Sequence, residues 1–197
     1  MEDGVIKYKC NWNKSEGLKD HDYKEIEIAR AAMIERKWIG HDLNFNVGYG
    51  NISQRINQKK FIISGTQTGH LKNLSFNEYS LVTDYNIDQN SLECTGSIKA
   101  SSESLTHAAI YHKSPQTNCI IHIHDNDFWQ KLIHQNIGVT KKSIDYGTPE
   151  MAYDIFRLFD DNAFIKHPII TMQGHQGGII SFGKKFQETI QALIKLY

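Results

Sequence analysis

The chain of 197 residues contains only three prolines, and no stretch collects proline, glycine and serine into a linker. No repeat or low-complexity run divides it either. A single domain over 1–197, with its core over about 22–197, is therefore expected. An excess of charge of one sign is also missing, since Lys plus Arg and Asp plus Glu each total 22. Without a basic cluster there is no electrostatic reason to expect a nucleic acid or a membrane surface as partner. No apolar run approaches the roughly 20 residues that a membrane-spanning helix needs. The opening M-E-D-G-V-I-K lacks the apolar segment of a signal peptide, which makes a cytoplasmic location the expectation. Cysteine is scarce and odd in number. Cys10, Cys94 and Cys119 form no C-x-x-C, which argues against a disulfide framework and a thiolate zinc site and for reduced, structural thiols.

Histidine, by contrast, is plentiful, with ten residues. His122 and His124 stand in I-I-H-I-H-D after the turn-like P-Q-T-N, and His175 follows in Q-G-H-Q-G-G. On an extended strand side chains two apart share a face, so both imidazoles can reach one ion. A third histidine from a glycine-rich loop closes the set, and three nitrogens with an open fourth position are the pattern of a catalytic zinc. His167 competes for the third place. It opens the apolar run P-I-I-T-M, however, at the near end of a strand rather than at the strand-to-loop exit where sites are built. His21, His41 and His134 have polar neighbours and no partner spacing, and read as solvated.

Hydrophobic spacing predicts a helix over Tyr23–Trp38, with Ile26, Ala29, Met33 and Trp38 inward and Gly40 beyond its end. Asn46–Ile56 reads as a glycine-punctuated loop entering a strand, and Lys60–Ser64 as a second strand. Ser75 and Glu78 have capping-box spacing ahead of a short helix. Thr148, Pro149 and Glu150 open another helix, with Met151, Ile155, Leu158 and Phe159 buried. A last helix over Lys184–Leu196 buries Phe186, Ile190, Leu193 and Tyr197. Strands and helices mix without strict alternation, which predicts a largely antiparallel sheet covered by helices.

A second constellation is A-S-S-E-S-L-T-H-A-A-I-Y-H, from Ala100 to His112. Ser101 and Ser102 opening a helix satisfy simple capping; the same hydroxyls and free N–H groups also suit a phosphate, with Glu103 beside the bound molecule. His107, one turn on, either packs the helix or supports Glu103. Gly50 and Asn51 in G-Y-G-N-I-S, and Ser64 and Gly65 in I-I-S-G-T-Q-T-G, are turns or anion-binding nests.

Taken in order, G-N-I-S, I-S-G-T-Q-T-G, K-A-S-S-E-S-L-T-H-A-A-I-Y, I-I-H-I-H, Y-G-T-P-E-M-A and M-Q-G-H-Q-G-G resemble the class II aldolase and adducin family. The resemblance covers roughly Ile26 to the C-terminus. It implies a three-layer α/β/α domain with a mainly antiparallel sheet, and a homotetramer with active sites between neighbouring subunits. It further implies one zinc per subunit on His122, His124 and His175, with Glu103 close enough to join the metal's surroundings. Glutamate after the serine pair favours the branch similar to fuculose-phosphate aldolases, metal-dependent aldehyde-lyases that cleave a phosphorylated ketose through an enediolate. Glu103 would then move the proton, zinc would act as Lewis acid, and Gly50, Asn51, Ser64, Gly65, Ser101 and Ser102 would hold the phosphate. The chain departs from that branch in three places. The stretch from His124 to Gly147 is shorter, Ser143 falls where those enzymes have a catalytic tyrosine, and Gln176 replaces a glycine. Tyr146 is the candidate to replace the tyrosine. A 4-epimerase, a dehydratase and a non-catalytic adducin-like interaction domain are the alternative readings.

Overall fold

Strand residues that alternate between two aliphatic layers organise this molecule. The computed structural model describes residues 5–19 and 23–197; His21 lies outside them. In chain order the elements are β1 (Lys9–Lys14), α1 (Lys24–Glu35), β2 (Gly40–Asp42), β3 (Val47–Tyr49), β4 (Asn51–Arg55), β5 (Phe61–Ser64), β6 (Tyr79–Asn86) and β7 (Ser91–Gly96). Then follow α2 (Ser104–Lys113), β8 (Cys119–His124), α3 (Asn126–His134), α4 (Pro149–Asp160), β9 (Ile169–Thr171), β10 (Gly178–Gly183) and α5 (Phe186–Leu196). Eight strands form one sheet in the order β1-β7-β6-β5-β4-β8-β10-β9, while β2 and β3 pair separately as a hairpin. Every pairing in the large sheet is antiparallel except β1 with β7.

The side-chain period of two sends Phe61, Ile63, Ile120 and Ile180 to one face, where Leu105, Ala108 and Ala109 of α2 and Met151, Ile155 and Leu158 of α4 cover them. Ile52, Ile62, Ile121, Ile123 and Ile179 point the other way, against Ile26 and Met33 of α1, Phe128 and Leu132 of α3, and Phe186 and Leu193 of α5. The result is the expected three-layer α/β/α arrangement around a mainly antiparallel sheet.

Several local expectations hold. The Thr148 hydroxyl accepts the Met151 N–H at 3.3 Å to cap α4, with Pro149 at the first turn. Others change. Ser75 and Glu78 do make reciprocal contacts, Glu78 Oε2 accepting the Ser75 N–H at 2.7 Å and its hydroxyl at 2.8 Å. No helix follows, because the next residue, Tyr79, enters β6 and pairs with Ser64 of β5; the box closes a turn instead. Helix α1 stops at Glu35, so Trp38 is buried from the loop beyond it, stacked 6.1 Å from Phe128. Tyr197, expected inside, is 65% exposed and lays its ring edge-on to Trp38 and Phe128.

One buried cation fastens the loop between β5 and β6 to α1. Arg30 is 1% exposed, and its guanidinium donates to the carbonyls of Thr68 at 3.0 Å, Leu71 at 2.7 Å and Lys72 at 3.2 Å. Glu27, one turn earlier, accepts the Leu74 N–H at 2.8 Å and the Tyr79 hydroxyl at 2.6 Å. Replacing Arg30 by leucine leaves those carbonyls without their donor and is expected to destabilise the fold by about 3 kcal/mol. Chemical denaturation measures this directly, and an unchanged midpoint would refute the anchoring role.

Candidate metal centre and active site

Central strand β8 lies between β4 and β10, which explains the placement of its histidines. His122 and His124 share the face of Ile120, at the end of the strand where the helical cover stops. His122 Nδ1 donates to the Ile179 carbonyl at 3.2 Å. A carbonyl can only accept, so this bond puts the proton on Nδ1 and leaves Nε2 as a lone pair. That atom lies 3.1 Å from His124 Nε2, close to the roughly 3.3 Å edge that two nitrogens share on a tetrahedral ion with bonds of 2.0–2.1 Å.

His175 enters from the β9–β10 loop. Its N–H donates to the Met172 carbonyl at 3.0 Å, and its own carbonyl accepts from Gly178 at 2.9 Å. Its ring lies 5.6 Å from that of His122 and 4.7 Å from that of His124. The flanking glycines are sterically required: a Cβ on Gly174 would meet the Ile144 carbonyl oxygen at 1.9 Å, and one on Gly178 would meet His175 Cδ2 at 2.6 Å. Gln176 between them is exposed, which explains how the loop accepts a side chain there. One nitrogen from each histidine lies within 4.8 Å of the others. Burial, together with the neighbouring imidazoles, holds His122 well below the usual imidazole pKa; burial does the same for His175, helped by His124 and Lys7, and lowers His124 to about 4. Three neutral imidazoles with a converging lone pair fit a divalent transition metal, whose ligands must be unprotonated.

Glu103 completes the group. It is the residue before the first turn of α2 and only 3% exposed. Its Oε1 lies 3.6 Å from His175 Nε2, and its Oε2 accepts the Thr106 hydroxyl at 2.8 Å. Helix α2 is held in turn by Ser53 of β4, whose hydroxyl bonds His107 Nδ1 at 2.7 Å and the Tyr111 hydroxyl at 2.8 Å. His107 therefore acts as a buried tie between helix and sheet. His167 is absent from the histidine group and sits partly exposed ahead of β9; His134 is exposed and His41 bonds Asn46 at 3.1 Å.

The cavity in front of the histidines is lined by Gly50, Asn51, Gly65, Ser101, Ser102 and Glu103. Ser64 is not part of that wall: it is 2% exposed and its hydroxyl accepts the Ile52 N–H at 3.2 Å, bracing β4 to β5. Gly65 reaches the cavity, but its N–H donates to the Glu78 carbonyl at 2.8 Å. Tyr146 does not line the cavity either. It is 3% exposed, with its hydroxyl 3.4 Å from the Val5 carbonyl and its ring 4.6 Å from that of His175, so it backs the His175 ring. Sequence reading missed Thr66 and Thr68, which line the cavity, and Lys7, whose ammonium lies 3.9 Å from the Tyr146 ring centre. The first two were legible in G-T-Q-T-G; Lys7 carries no local signal.

A metal-ready histidine triad and a buried carboxylate thus stand at the strand ends of an α/β/α sheet. Residues 31–196 match the family model described as class II aldolase and adducin N-terminal domain, and the chain belongs to that family. Among solved structures, YgbL from Klebsiella pneumoniae, a candidate aldolase, epimerase or decarboxylase, is similar with a TM-score of 0.64 and 18% identity, covering 88% of this chain and 83% of that one. L-fuculose-1-phosphate aldolase from Thermus thermophilus gives 0.60 and 16%, covering 88% of each chain. A sugar-phosphate aldolase from Thermotoga maritima gives 0.63 and 15%, covering 87% of this chain and 88% of that one. No curated protein matches the chain.

Two outcomes are expected. His122→Ala should abolish stoichiometric metal while His167→Ala keeps it, as read by metal analysis of the purified variants; the reverse pattern would overturn the ligand set. The second concerns pH. His107 and His124 have folded pKa values of about 3 and about 4, below the roughly 6.5 of an unfolded imidazole. From about pH 6.5 down to 4 the unfolded chain takes up protons that the folded, metal-free chain refuses. Stability present above that window is therefore lost as pH falls through it, by about 1.4 kcal/mol per pH unit for each histidine. Denaturation midpoints of the metal-free protein should drop between pH 7.5 and pH 5, and a constant midpoint would contradict neutral burial.

Proposed function

We propose that the chain is a single-domain, zinc-dependent aldolase that reversibly cleaves a phosphorylated ketose, with one metal per subunit on His122, His124 and His175. The observation that carries this reading is the placement of Glu103, buried with one carboxylate oxygen 3.6 Å from His175 and the other held by Thr106. A carboxylate fixed beside a three-histidine centre and open to a cavity can take or give a proton on a bound substrate. When bound, the metal would polarise the substrate's oxygen atoms and stabilise the negative charge that builds when a carbon–carbon bond breaks.

The chain's own residues account for the remainder. Thr106 orients the carboxylate of Glu103 and leaves its other oxygen on the side of the histidine group. Asn51, opposite His122 in the β4–β8 register, is 5% exposed, and its Oδ1 has no hydrogen-bond partner, which suits a substrate hydroxyl as donor. Ser101 and Ser102, ahead of the α2 N-terminus, and Gly50 and Gly65 form the wall that would receive the phosphate. Glu103 is the proposed catalytic residue, and Tyr146 supports His175. The solved sugar-phosphate aldolases of similar fold support a sugar-phosphate substrate; a homotetramer with sites between subunits and a cytoplasmic location belong to the same proposal. Retention of all three histidines and Glu103 favours an enzyme over an adducin-like interaction domain.

Glu103→Gln is expected to lower turnover by roughly 10² to 10⁴, the range for losing a positioned general acid or base, with metal content retained. A folded, metal-loaded and fully active variant would return Glu103 to a structural role. Inorganic phosphate should compete with substrate, and Ser102→Asp should weaken binding by repulsion; equal turnover of unphosphorylated sugars would remove the phosphate assignment. Product analysis on a sugar-phosphate panel separates cleavage from epimerisation, since only cleavage releases an aldehyde.

A further inference from the structure

We propose that Cys10 and Cys94 are a peroxide-oxidisable dithiol whose disulfide fastens the N-terminal strand to the sheet. The two residues stand on adjacent parallel strands. Trp12 pairs with Cys94 and Cys10 with Leu92, so the two thiols are diagonal neighbours on one face of the β1–β7 ladder. Their sulfurs lie 3.8 Å apart in hydrogen-bonding contact although 84 positions separate them in the chain. Cys94 is buried and Cys10 half-buried, which leaves one thiol reachable by a small oxidant and shelters the other behind it. Donating across this contact pushes the Cys10 thiol up, with burial adding to the effect, while accepting from Cys10 brings the Cys94 thiol down to about 6. Cys119 has no such neighbour: it belongs to the layer on the other side of the sheet and contacts the Lys184 carbonyl.

The strand that this pair would fasten is an edge strand, bonded on one side only, and the segment leading directly into it touches the candidate active site at two points. Tyr8 donates from its hydroxyl to the carbonyls of Ser101 at 2.9 Å and Ala100 at 3.2 Å, steadying the turn that presents Ser102 and Glu103. Lys7 covers Tyr146, which backs His175. Diagonal neighbours in a ladder stand roughly 7–8 Å apart and a disulfide spans less than about 7 Å between Cα atoms, so closing the bond draws edge strand β1 toward β7 and fixes it two residues from Tyr8.

The chemistry balances with hydrogen peroxide as oxidant. The Cys10 sulfur attacks one peroxide oxygen, the O–O bond breaks, and the departing hydroxide takes up the Cys10 thiol proton, leaving Cys10 sulfenic acid and one water. The Cys94 thiol then attacks the Cys10 sulfur, the S–S bond forms, the S–O bond breaks, and the hydroxyl leaves as a second water. Two thiols lose two electrons in total and one peroxide gains them. A dithiol reductant reverses the step by exchange.

The test uses the full-length, metal-loaded protein. After brief exposure to dilute hydrogen peroxide, the chain is unfolded in acid, its thiols are tagged, and it is digested without reductant for mass spectrometry. The expected result is loss of both tags from Cys10 and Cys94, appearance of one peptide joining them, full tagging of Cys119, and recovery of all tags after dithiothreitol. Cys94→Ser should leave Cys10 to advance to sulfinic acid, since nothing resolves it; Cys10→Ser should leave Cys94 tagged. Cys10 over-oxidised in the wild type without a cross-link, a link to Cys119, or a link between two chains would each overturn the proposal. These readouts are independent of turnover, so they stand apart from the aldolase reading.

Discussion

The alternation of β8 is the constraint on which the rest of the structure depends. Ile121 and Ile123 fill one core, Ile120 fills the other, and His122 and His124 continue the Ile120 face to the open end of the strand. Both faces of the strand are covered, so a slip of one residue would drive the imidazoles into aliphatic packing and bring isoleucines to the cavity. The neighbours enforce the same register: Asn51 of β4 stands opposite His122, and Gly178 of β10 opposite His124. The site is thus a by-product of how the sheet is assembled, and its histidines need no loop to aim them apart from His175.

Around that strand the polar groups connect into one braced unit. Ser53 joins β4 to α2 through His107 and Tyr111, and Glu103 precedes the same helix. Arg55, at the end of β4, donates to the carbonyls of Thr117, Tyr111 and Ser114, closing the far end of α2 against β8. The acid and the histidines are therefore carried by elements tied together at both ends, which is the kind of rigidity a proton-transfer geometry requires.

What could be read in the sequence divides along a physical line. The H-x-H pair, the glycine-flanked His175 and Glu103 were legible because strand period, helix starts and close approach are local properties. The helix cap at Thr148 and a largely antiparallel sheet covered by helices followed from the same kind of pattern, whereas the three-layer α/β/α order came from the family resemblance. Ser75 and Glu78 misled because a capping box satisfies the same donors in a turn as in a helix, and only the pairing of Tyr79 with Ser64 decides between them. Ser64, Tyr146 and Lys7 were illegible for a different reason. Their roles depend on partners 12, 141 and 138 positions away, and no short-range pattern encodes which group a hydroxyl or ammonium will meet. The parallel seat of β1 beside β7 is of the same long-range kind.

The Q-G-H-Q-G-G loop has one further consequence. Its inward glycines, Gly174 and Gly178, are so tightly enclosed that no side chain fits there, whereas Gln176 turns outward beside Asp42, Phe45 and Asn126. The loop is therefore divided into a frozen half that faces the histidine group and a free half that faces the mouth of the cleft. Sequence drift, or deliberate diversification, at position 176 can reshape the mouth of the cleft while the half that positions His175 stays untouched, so the two halves of the loop can change independently.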